Sequence, residues 1–542
     1  MHCTICTCSK MKRKLLYVGS MVTGTAICVL GAVGGMSEGS PAVTGQAVVR
    51  FTRTAFTVAQ ISYDYKKTLW GLDGSSELWD KLKSQVHSRS AERLRNLCCI
   101  NAGLYIKIGQ HLGSLDYLLP CEYTKVLKVF HHSAPKSSMA DINSVFQKEL
   151  GSFPEEIFEY FDTEPIGSAS LAQVHKAILK DGCSVAVKVQ HKDIHDHSTS
   201  DVKTMEFLVN LVARLFPEFQ FMWIVEETKK NLPLELDFLH EGKNSEKLQE
   251  RFSKLDFLKI PKVYWNYSSK RILTMEFCEG GHVNDFDYMK YHNISSKEVS
   301  SKVGKIYSEM IFVQGYIHCD PHPGNILIRK NSRKDVEIVL LDHGLYQVLT
   351  DDLRINYCKL WQAIMSADLE GIKEYSRRMD VEEYYGIFAC MLSARTWNTV
   401  VGGIRNNTAL SRDELQELRE SIATNLNHIS TVLNRIPRQL LLIFKTNDLL
   451  RNIDHQLHTS SSFISFVTMS KCCVEAVARD ELKKCRTSFQ RFMVYSRWTL
   501  DYTRILIYQI GAHEFSISRE VFASFVANLL SCFIVSAFFA SK

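Results

Sequence analysis

The feature that most narrows the fold is a change of period near residue 165. From 41 to 135 the sequence reads as helical: SRSAERLRNLCCINAGLYIKIGQHLGSL has apolar residues at helical spacing, and LPCEYTKVLKVF reads as a further helix after Pro120. From 165 to 191 the chain reads PIGSASLAQVHKAILKDGCSVAVKVQH, with Val, Ala and Leu at period two on both sides of Asp181-Gly182. Alternation flanking Asp-Gly predicts two antiparallel strands joined by a tight turn. Strand-like sequence returns at 270–277 (KRILTMEF) and in the pair NILIRK and EIVLLDHG, while 199–250 and 350–510 read as helical. A chain of 542 residues exceeds one ordinary core. The expected class is α+β: a small β-rich lobe, a larger α-rich lobe, and helices added on both sides.

Composition removes some function classes. Hydrophobic residues make up 45% and charged residues 23%, so a packed globular protein is expected. The net charge of +6 comes without an aromatic-interleaved basic patch, which argues against nucleic acid as a partner. The 16 cysteines form no disulfide-like array, and Cys98-Cys99 and Cys472-Cys473 sit in apolar, helix-like sequence. Reduced thiols fit that usage better than a disulfide scaffold. Cys3, Cys6 and Cys8 have no second Cys or His pair at finger spacing, so a metal site there is not expected.

Residues 15–36, LLYVGSMVTGTAICVLGAVGGM, carry no charge over 22 positions, which is long enough to cross a bilayer. Ser20 and Gly24, and Gly31 and Gly35, have the spacing of close helix packing. Lys10, Lys12, Arg13 and Lys14 precede the stretch, and the first acid is Glu38. A basic, acid-free start fits mitochondrial targeting; a secretory signal is the alternative that the cysteine usage opposes, and a buried Gly-rich helix is the structural one. If the stretch spans, its positive flank lies on the matrix or cytosolic side. The rest of the chain then faces the opposite side, in mitochondria the intermembrane space. Residues 521–540, VFASFVANLLSCFIVSAFFA, are also uncharged, and either span or dock on the domain.

Four features carry chemistry, in order along the chain. Gly167-Ser168-Ala169-Ser170-Leu171-Ala172-Gln173-Val174 is a small-residue turn between strands whose backbone amides can approach a phosphate chain; alone it reads as a plain hairpin. Lys188, in VAVKV, is a lysine on an apolar strand, ordinarily an edge charge, here in reach of phosphates under the turn. HCDPHPGN, 318–325, holds Asp320 and Asn325 five apart in a loop stiffened by Pro321 and Pro323. Asp320 can orient or deprotonate a hydroxyl or water, and Asn325 can hold a metal. Asp342, in LDHG, ends an apolar strand; a lone acid there is usually a turn residue, but close behind Asn325 it is a candidate magnesium ligand. Each signal alone is modest. Their order and spacing are those of phosphoryl transfer in protein-kinase-like folds.

The departures from ordinary protein kinases identify a group. Lys107-Ile108-Gly109-Gln110 matches a KxGQ signature, Glu235-Leu236-Asp237 matches ExD, and Ala stands at 169 and 172 where kinases have Gly. With HCDPHPGN and Asp342-His343-Gly344, the chain resembles the aarF/UbiB family of atypical kinases, in its mitochondrial branch, from about 55 to 510. The resemblance implies a protein-kinase-like two-lobe fold with an N-terminal helical extension over the active site and extra C-terminal helices. The implied units are a targeting or transmembrane segment (1–40), the KxGQ extension (41–150), an N-lobe (151–282), a C-lobe core (283–400), a C-terminal helical extension (401–515) and a hydrophobic end (516–542). It implies ATP and Mg²⁺ as cofactors. Lys188 would hold the α- and β-phosphates, with Glu241 or Glu235 as its acidic partner. Asn325 and Asp342 would ligate Mg²⁺, and Asp320 would be the catalytic acid/base. Lys107 and Gln110 would lie over the active site, although without the resemblance Lys107 reads as an exposed helix charge. Met275-Glu276-Phe277-Cys278 would hold adenine through backbone groups.

The departures also have physical readings. Ala at 169 and 172 restricts the phosphate-covering loop. Cys319 stands where an Arg answers a phosphorylated activation loop, so that switch is not expected. His322 stands in place of a lysine that contacts the transferring phosphate and supplies less charge. Only LYQVL separates Gly344 from Thr350-Asp351-Asp352, which reads as a helix start, so no peptide-docking platform fits. Three functions follow. The first is a membrane-bound, Mg-dependent ATPase or small-molecule or lipid kinase in mitochondrial lipid or quinone homeostasis and inner-membrane maintenance, with a lipid or isoprenoid ligand. A nucleotide-responsive scaffold and a conventional Ser/Thr protein kinase are the alternatives. In the C-terminal extension, Pro437 is expected to open a helix whose Arg438 and Arg451 face solvent.

Overall fold

The computed structural model describes residues 41–72, 76–113, 119–131, 136–216, 222–402, 416–417, 426–458 and 462–511. The uncharged stretches at 15–36 and 521–540, and Cys3, Cys6 and Cys8, lie outside these residues. Among the described residues no helix is long and apolar enough to cross a membrane. The described cysteines are all free, and Cys98, Cys278, Cys319, Cys358, Cys472 and Cys473 are buried.

Among the described residues four helices come first: α1 (Pro41–Thr68), α2 (Glu77–Asn101), α3 (Leu104–Gly113) and α4 (Cys121–Leu127). Ser76 caps α2 by accepting from the Trp79 amide. Residues 88–113 fold as two helices, because Ala102 and Gly103 take φ of 52° and 54° and turn the chain. Asp64 of α1 pairs with Arg89 and Arg93 of α2 at 2.9 and 2.6 Å.

The expected hairpin is present. Strand β3 (Ala172–Leu179) pairs antiparallel with β4 (Ser184–Gln190), and Gly182 takes the φ of +85° that the turn requires. Short strands β1 (Phe158–Phe161) and β2 (Gly167–Ser168) add on β3, and β6 (Ile272–Glu276) adds on β4. Helix α5 (Met139–Leu150) covers one face of this sheet, with Ile142, Val145 and Phe146 packed on Ala177, Val185, Val187 and Ile272. Period two thus lines one face for burial. Between β4 and β6 run α6 (Ile194–Leu215), α7 (Met222–Glu235) and α8 (Phe238–Arg251). Asp237 caps α8 by accepting from the Leu239 amide, so the ExD motif straddles the α7–α8 break.

The larger lobe contains α9 (Ser296–Ser308) and a π-helical turn (Glu309–Gln314). A small sheet follows in the order β5 (Leu258–Lys259), β10 (Val336–Leu340), β9 (Ile326–Lys330) and β7 (Gly281–His282). Helix α10 (Asp351–Ser366) starts on a Thr350 cap, as its sequence predicts. Helices α11 (Arg438–Gln456), α12 (Ser462–Lys484) and α13 (Ser488–Gly511) complete the lobe. Its continuous apolar core runs from Val299 and Phe312 through Trp361 to Leu442 and Cys473, so the C-terminal helices share one core with Ile317 and Ile326, on the strands that flank the 318–325 loop. Pro437 is the N-cap residue of α11. Arg438 is half exposed beside Glu226, as expected, but Arg451 also donates to the Leu392 carbonyl and is tied into the lobe.

Candidate active site

Three chain segments meet at Lys188. Its ammonium lies 2.8 and 2.9 Å from the two oxygens of Glu241 and 3.1 Å from Asp342 Oδ1, above the Phe238 ring. Glu241 is therefore the partner that the sequence left undecided. Glu235, the other candidate, pairs instead with Lys107 at 2.8 Å. The two glutamates are six residues apart, but the helix break at Asp237 sends them to different lysines. Burial pushes the Glu241 carboxyl up to about 7, against the pull of Lys188, and the nearby Asp342 charge adds to the rise. Burial disfavours the Lys188 charge, yet Asp342 and Glu241 outweigh it and hold the ammonium above its usual range.

Asp342 has a φ of +56°, a conformation that a non-glycine residue holds only when its surroundings impose it. Those surroundings are visible. His318, fully buried, places Nε2 2.7 Å from the Asp342 carbonyl, and its Nδ1 meets the Tyr307 hydroxyl at 3.0 Å. Asn244 donates to the His343 carbonyl and accepts from Tyr316. The Gly344 amide donates to Asp342 Oδ1 at 3.3 Å. Burial pushes His343 down to about 3 and lowers His318, so both rings are neutral struts.

The HCDPHPGN loop leaves β8 (Tyr316–His318) and enters β9 through a 3₁₀ turn at Pro323–Asn325. The Asn325 amide nitrogen lies 3.2 Å from the Asp320 carbonyl and 3.4 Å from its carboxylate. The Asn325 carbonyl accepts from Leu341, next to Asp342, at 2.8 Å. This backbone bond ties the loop to the segment that carries Asp342, whose carboxylate is 40% exposed; Asn325 Oδ1 and the Asp342 carboxylate are hard oxygen donors of the kind that suits Mg²⁺. Cys319 is buried, its thiol pushed up to about 12 by burial, and it does no surface chemistry. His322 Nδ1 accepts from the Gly324 amide and so closes the turn.

Cations that His322 does not supply come from outside the kinase-like core. Lys445, on α11, places Nζ 3.4 Å from Asp320 Oδ1 with its side chain only 14% exposed. Lys107 reaches the same cleft from α3. Burial would raise the Asp320 pKa, but Lys445 and Lys107 outweigh it and hold the carboxylate well below its usual range. His111, one turn beyond Lys107, is pushed down to about 3 by burial and then by those two ammonium groups. Neither Lys445 nor His111 emerged from the sequence reading. Lys445 had a signal: a lone charge after LLLIF, inside a run whose residues Leu440 to Phe444 are all buried.

Other expected residues take different places. Gln110 does not point over the site; its amide donates to the Phe130 carbonyl at 2.8 Å and fastens α3 to the following turn. Gly109 lets that turn come close, since a Cβ there would lie 2.6 Å from the Phe130 ring. In the small-residue loop, Gly167 and Ser168 pair with Val174 and Gln173. The Ala169 amide donates to Ala172, its carbonyl lies 3.0 Å from His191 Nε2, and Ser170 is buried. The loop is closed on itself, and the Ala169 amide is already engaged. In the expected adenine segment, Glu276 pairs with Lys259 at 2.7 Å and its amide donates to Lys262. The Phe277 amide donates to Ser184, while Cys278 is buried beside Leu327 and Val339.

Residues 129–376 match the ABC1 atypical kinase-like domain. The chain is 50% identical over 465 residues to AarF domain-containing protein kinase 1 of Gallus gallus, covering 85% of this chain and 89% of that protein. It is equally similar to AarF domain-containing protein kinase 1 of Mus musculus, at 50% over 465 residues, 85% of this chain and 88% of the relative. AarF domain-containing kinase 1 of Drosophila melanogaster is 46% identical over 460 residues, 84% of this chain and 89% of the relative.

Proposed function

The chain belongs to the AarF/ABC1 family of atypical kinase-like proteins, and from that premise we propose that it binds Mg-ATP between its lobes and acts as an ATPase or as a kinase of a small molecule or lipid. The observation that carries this reading is the meeting of Lys188, Glu241 and Asp342 within 3.1 Å, next to an Asp320–Asn325 loop. In the proposal Lys188 positions phosphate oxygens, Asn325 and Asp342 hold the metal, and Asp320 accepts a hydrogen bond from the attacking hydroxyl or water and orients it. Mg²⁺, when bound, neutralises charge on the transferring phosphoryl group. Lys445 and Lys107 keep Asp320 ionised and add the positive charge that His322 lacks.

The geometry around Gly344 opposes a protein acceptor. Residues Tyr346–Val348 form β11, paired antiparallel with β8, and the Thr350 cap starts α10 directly afterwards. A two-stranded ladder occupies the stretch where a peptide platform would have to spread. Lys107 and its partner Glu235 further crowd the cleft, which favours a small acceptor. The mitochondrial inner membrane, with a role in lipid or quinone homeostasis, is proposed from the basic, acid-free start and the uncharged 15–36 stretch. One observation favours a second reading, a nucleotide-responsive scaffold: the Ala169 amide is bound within its own turn. The test is Mg-dependent ATP binding by the full chain, wild type against Lys188→Met. Saturable binding that needs Mg²⁺ and weakens in the variant supports the proposal; no binding removes it and the scaffold reading together.

A further inference from the structure

Helix α1 is built inside out for a helix on a water-facing surface. Its described ion pairs turn inward: Arg50 binds Asp201 of α6, and Asp64 binds Arg89 and Arg93 of α2. Its outward face instead carries Val49, Phe56 and Tyr63, at 47%, 63% and 52% exposure, and Trp70 just past its end at 76%. Val49, Phe56 and Tyr63 are spaced by seven, and seven-residue steps on a helix return to within about 20° of one direction; Trp70 follows in the turn after Thr68. They form one stripe along a 28-residue helix, roughly 42 Å at 1.5 Å per residue.

Among the other exposed residues of α1 the charged ones are Arg53, Lys66 and Lys67, and the rest, such as Thr52 and Gln60, are uncharged. The single acid of α1, Asp64, lies on the paired inner side. An apolar and aromatic stripe flanked by cations and free of acids has the chemistry of a helix lying in a phospholipid headgroup layer, where Trp and Tyr sit at the boundary and Lys and Arg meet phosphates. The chain outside the described residues argues for the same occupant: α1 starts at Pro41, shortly after the uncharged 22-residue stretch 15–36. A chain emerging from a bilayer there has α1 as its first surface element.

We propose that α1 lies along an anionic membrane surface with Val49, Phe56, Tyr63 and Trp70 inserted at the headgroup boundary. This rests on the membrane reading above only for the presence of a bilayer. Its consequence is that the helical layer that carries Lys107, on α3, is joined through α2 to a helix docked on lipid.

The experiment uses the full chain reconstituted in phosphatidylcholine vesicles containing cardiolipin. Flotation first reports whether the protein is anchored at all, separately from the placement of α1. Trp70 emission is then read as the difference between wild type and Trp70→Phe. Quenching of that component by lipids brominated near the headgroup, with little quenching by aqueous iodide, is the expected result. Arg53→Glu/Lys67→Glu should reduce the lipid quenching several-fold while ATP binding stays unchanged. Both substitutions are at exposed positions, and a retained thermal melt verifies folding. Quenching of Trp70 by iodide but not by bromolipid overturns the proposal. Protection from both quenchers also overturns it, and assigns the stripe to a second protein surface.

Discussion

Lys445 and Asp320 are 125 residues apart, and their charged groups lie 3.4 Å from each other in the cleft. The C-terminal extension therefore contributes a side chain to the site and is not only a buttress behind the larger lobe. Removing one group aimed at developing charge costs about a hundred- to a thousandfold in rate. Lys445 acts through Asp320, so Lys445→Met is expected to lower turnover by up to about a hundredfold, with ATP affinity nearly unchanged because Lys188 still holds the phosphates. Steady-state kinetics alongside direct nucleotide binding checks this. Equal losses in binding and turnover would mean that Lys445 only props the loop.

Lys107 and Glu235 tie the N-terminal helices to the ExD turn at 2.8 Å, with side chains 34% and 12% exposed. A double-mutant cycle with Lys107→Ala and Glu235→Ala should give a coupling of about 1 kcal/mol, the level of a partly exposed pair. Chemical denaturation of the four proteins measures it. A coupling near zero would leave the KxGQ helix held by its apolar contacts alone.

Gly109 is sterically required where it stands. Gly109→Ala sets a methyl against the Phe130 ring and is expected to destabilise by about 1–3 kcal/mol, the usual cost of overpacking. Pairing it with Phe130→Leu should recover part of the loss. Melting temperatures of the single and double variants report both effects.

How much of this was legible beforehand divides by sequence distance. Lys188 lies within strand β4, and Asp320, Asn325 and Asp342 lie beside strand ends; the period and turn residues of these strands are local signals, and the structure brings Lys188 to Asp342 and Asp320 to Asn325. The choice between Glu241 and Glu235 was not legible, because it depends on the Asp237 cap that ends α7 and starts α8. Lys445 was missed because its role comes from a long-range packing of α11 onto the catalytic-loop strands. Gln110 fell in a recognised motif, but its hydrogen bond to Phe130 depends on a turn that the spacing does not reveal.

Asp64 predicts a pH dependence at the α1–α2 contact. A hydrogen bond from Arg89, opposed by burial and helped by Arg93, holds the carboxyl below its usual range. A carboxyl with a depressed folded pKa stabilises fully above the unfolded value of about 3.9 and loses that contribution as pH falls through the folded value. The stability difference between wild type and Asp64→Asn should therefore be flat near neutrality, about 1 kcal/mol or less given the exposed arginines. It should shrink below about pH 4. Denaturation at several pH values tests this; a difference that grows on acidification contradicts it.

In the proposed function Asp320, held ionised by Lys445 and Lys107, works with Lys188 and Asp342 to move a phosphoryl group. The most direct measurement is ATP turnover by the full chain in cardiolipin-containing vesicles with Mg²⁺, wild type against Asp320→Asn. Turnover in the wild type that is lost in Asp320→Asn, with Mg-ATP binding retained in both, is the predicted result. Tight Mg-ATP binding without turnover, with or without vesicles, would contradict it and leave a nucleotide-responsive scaffold.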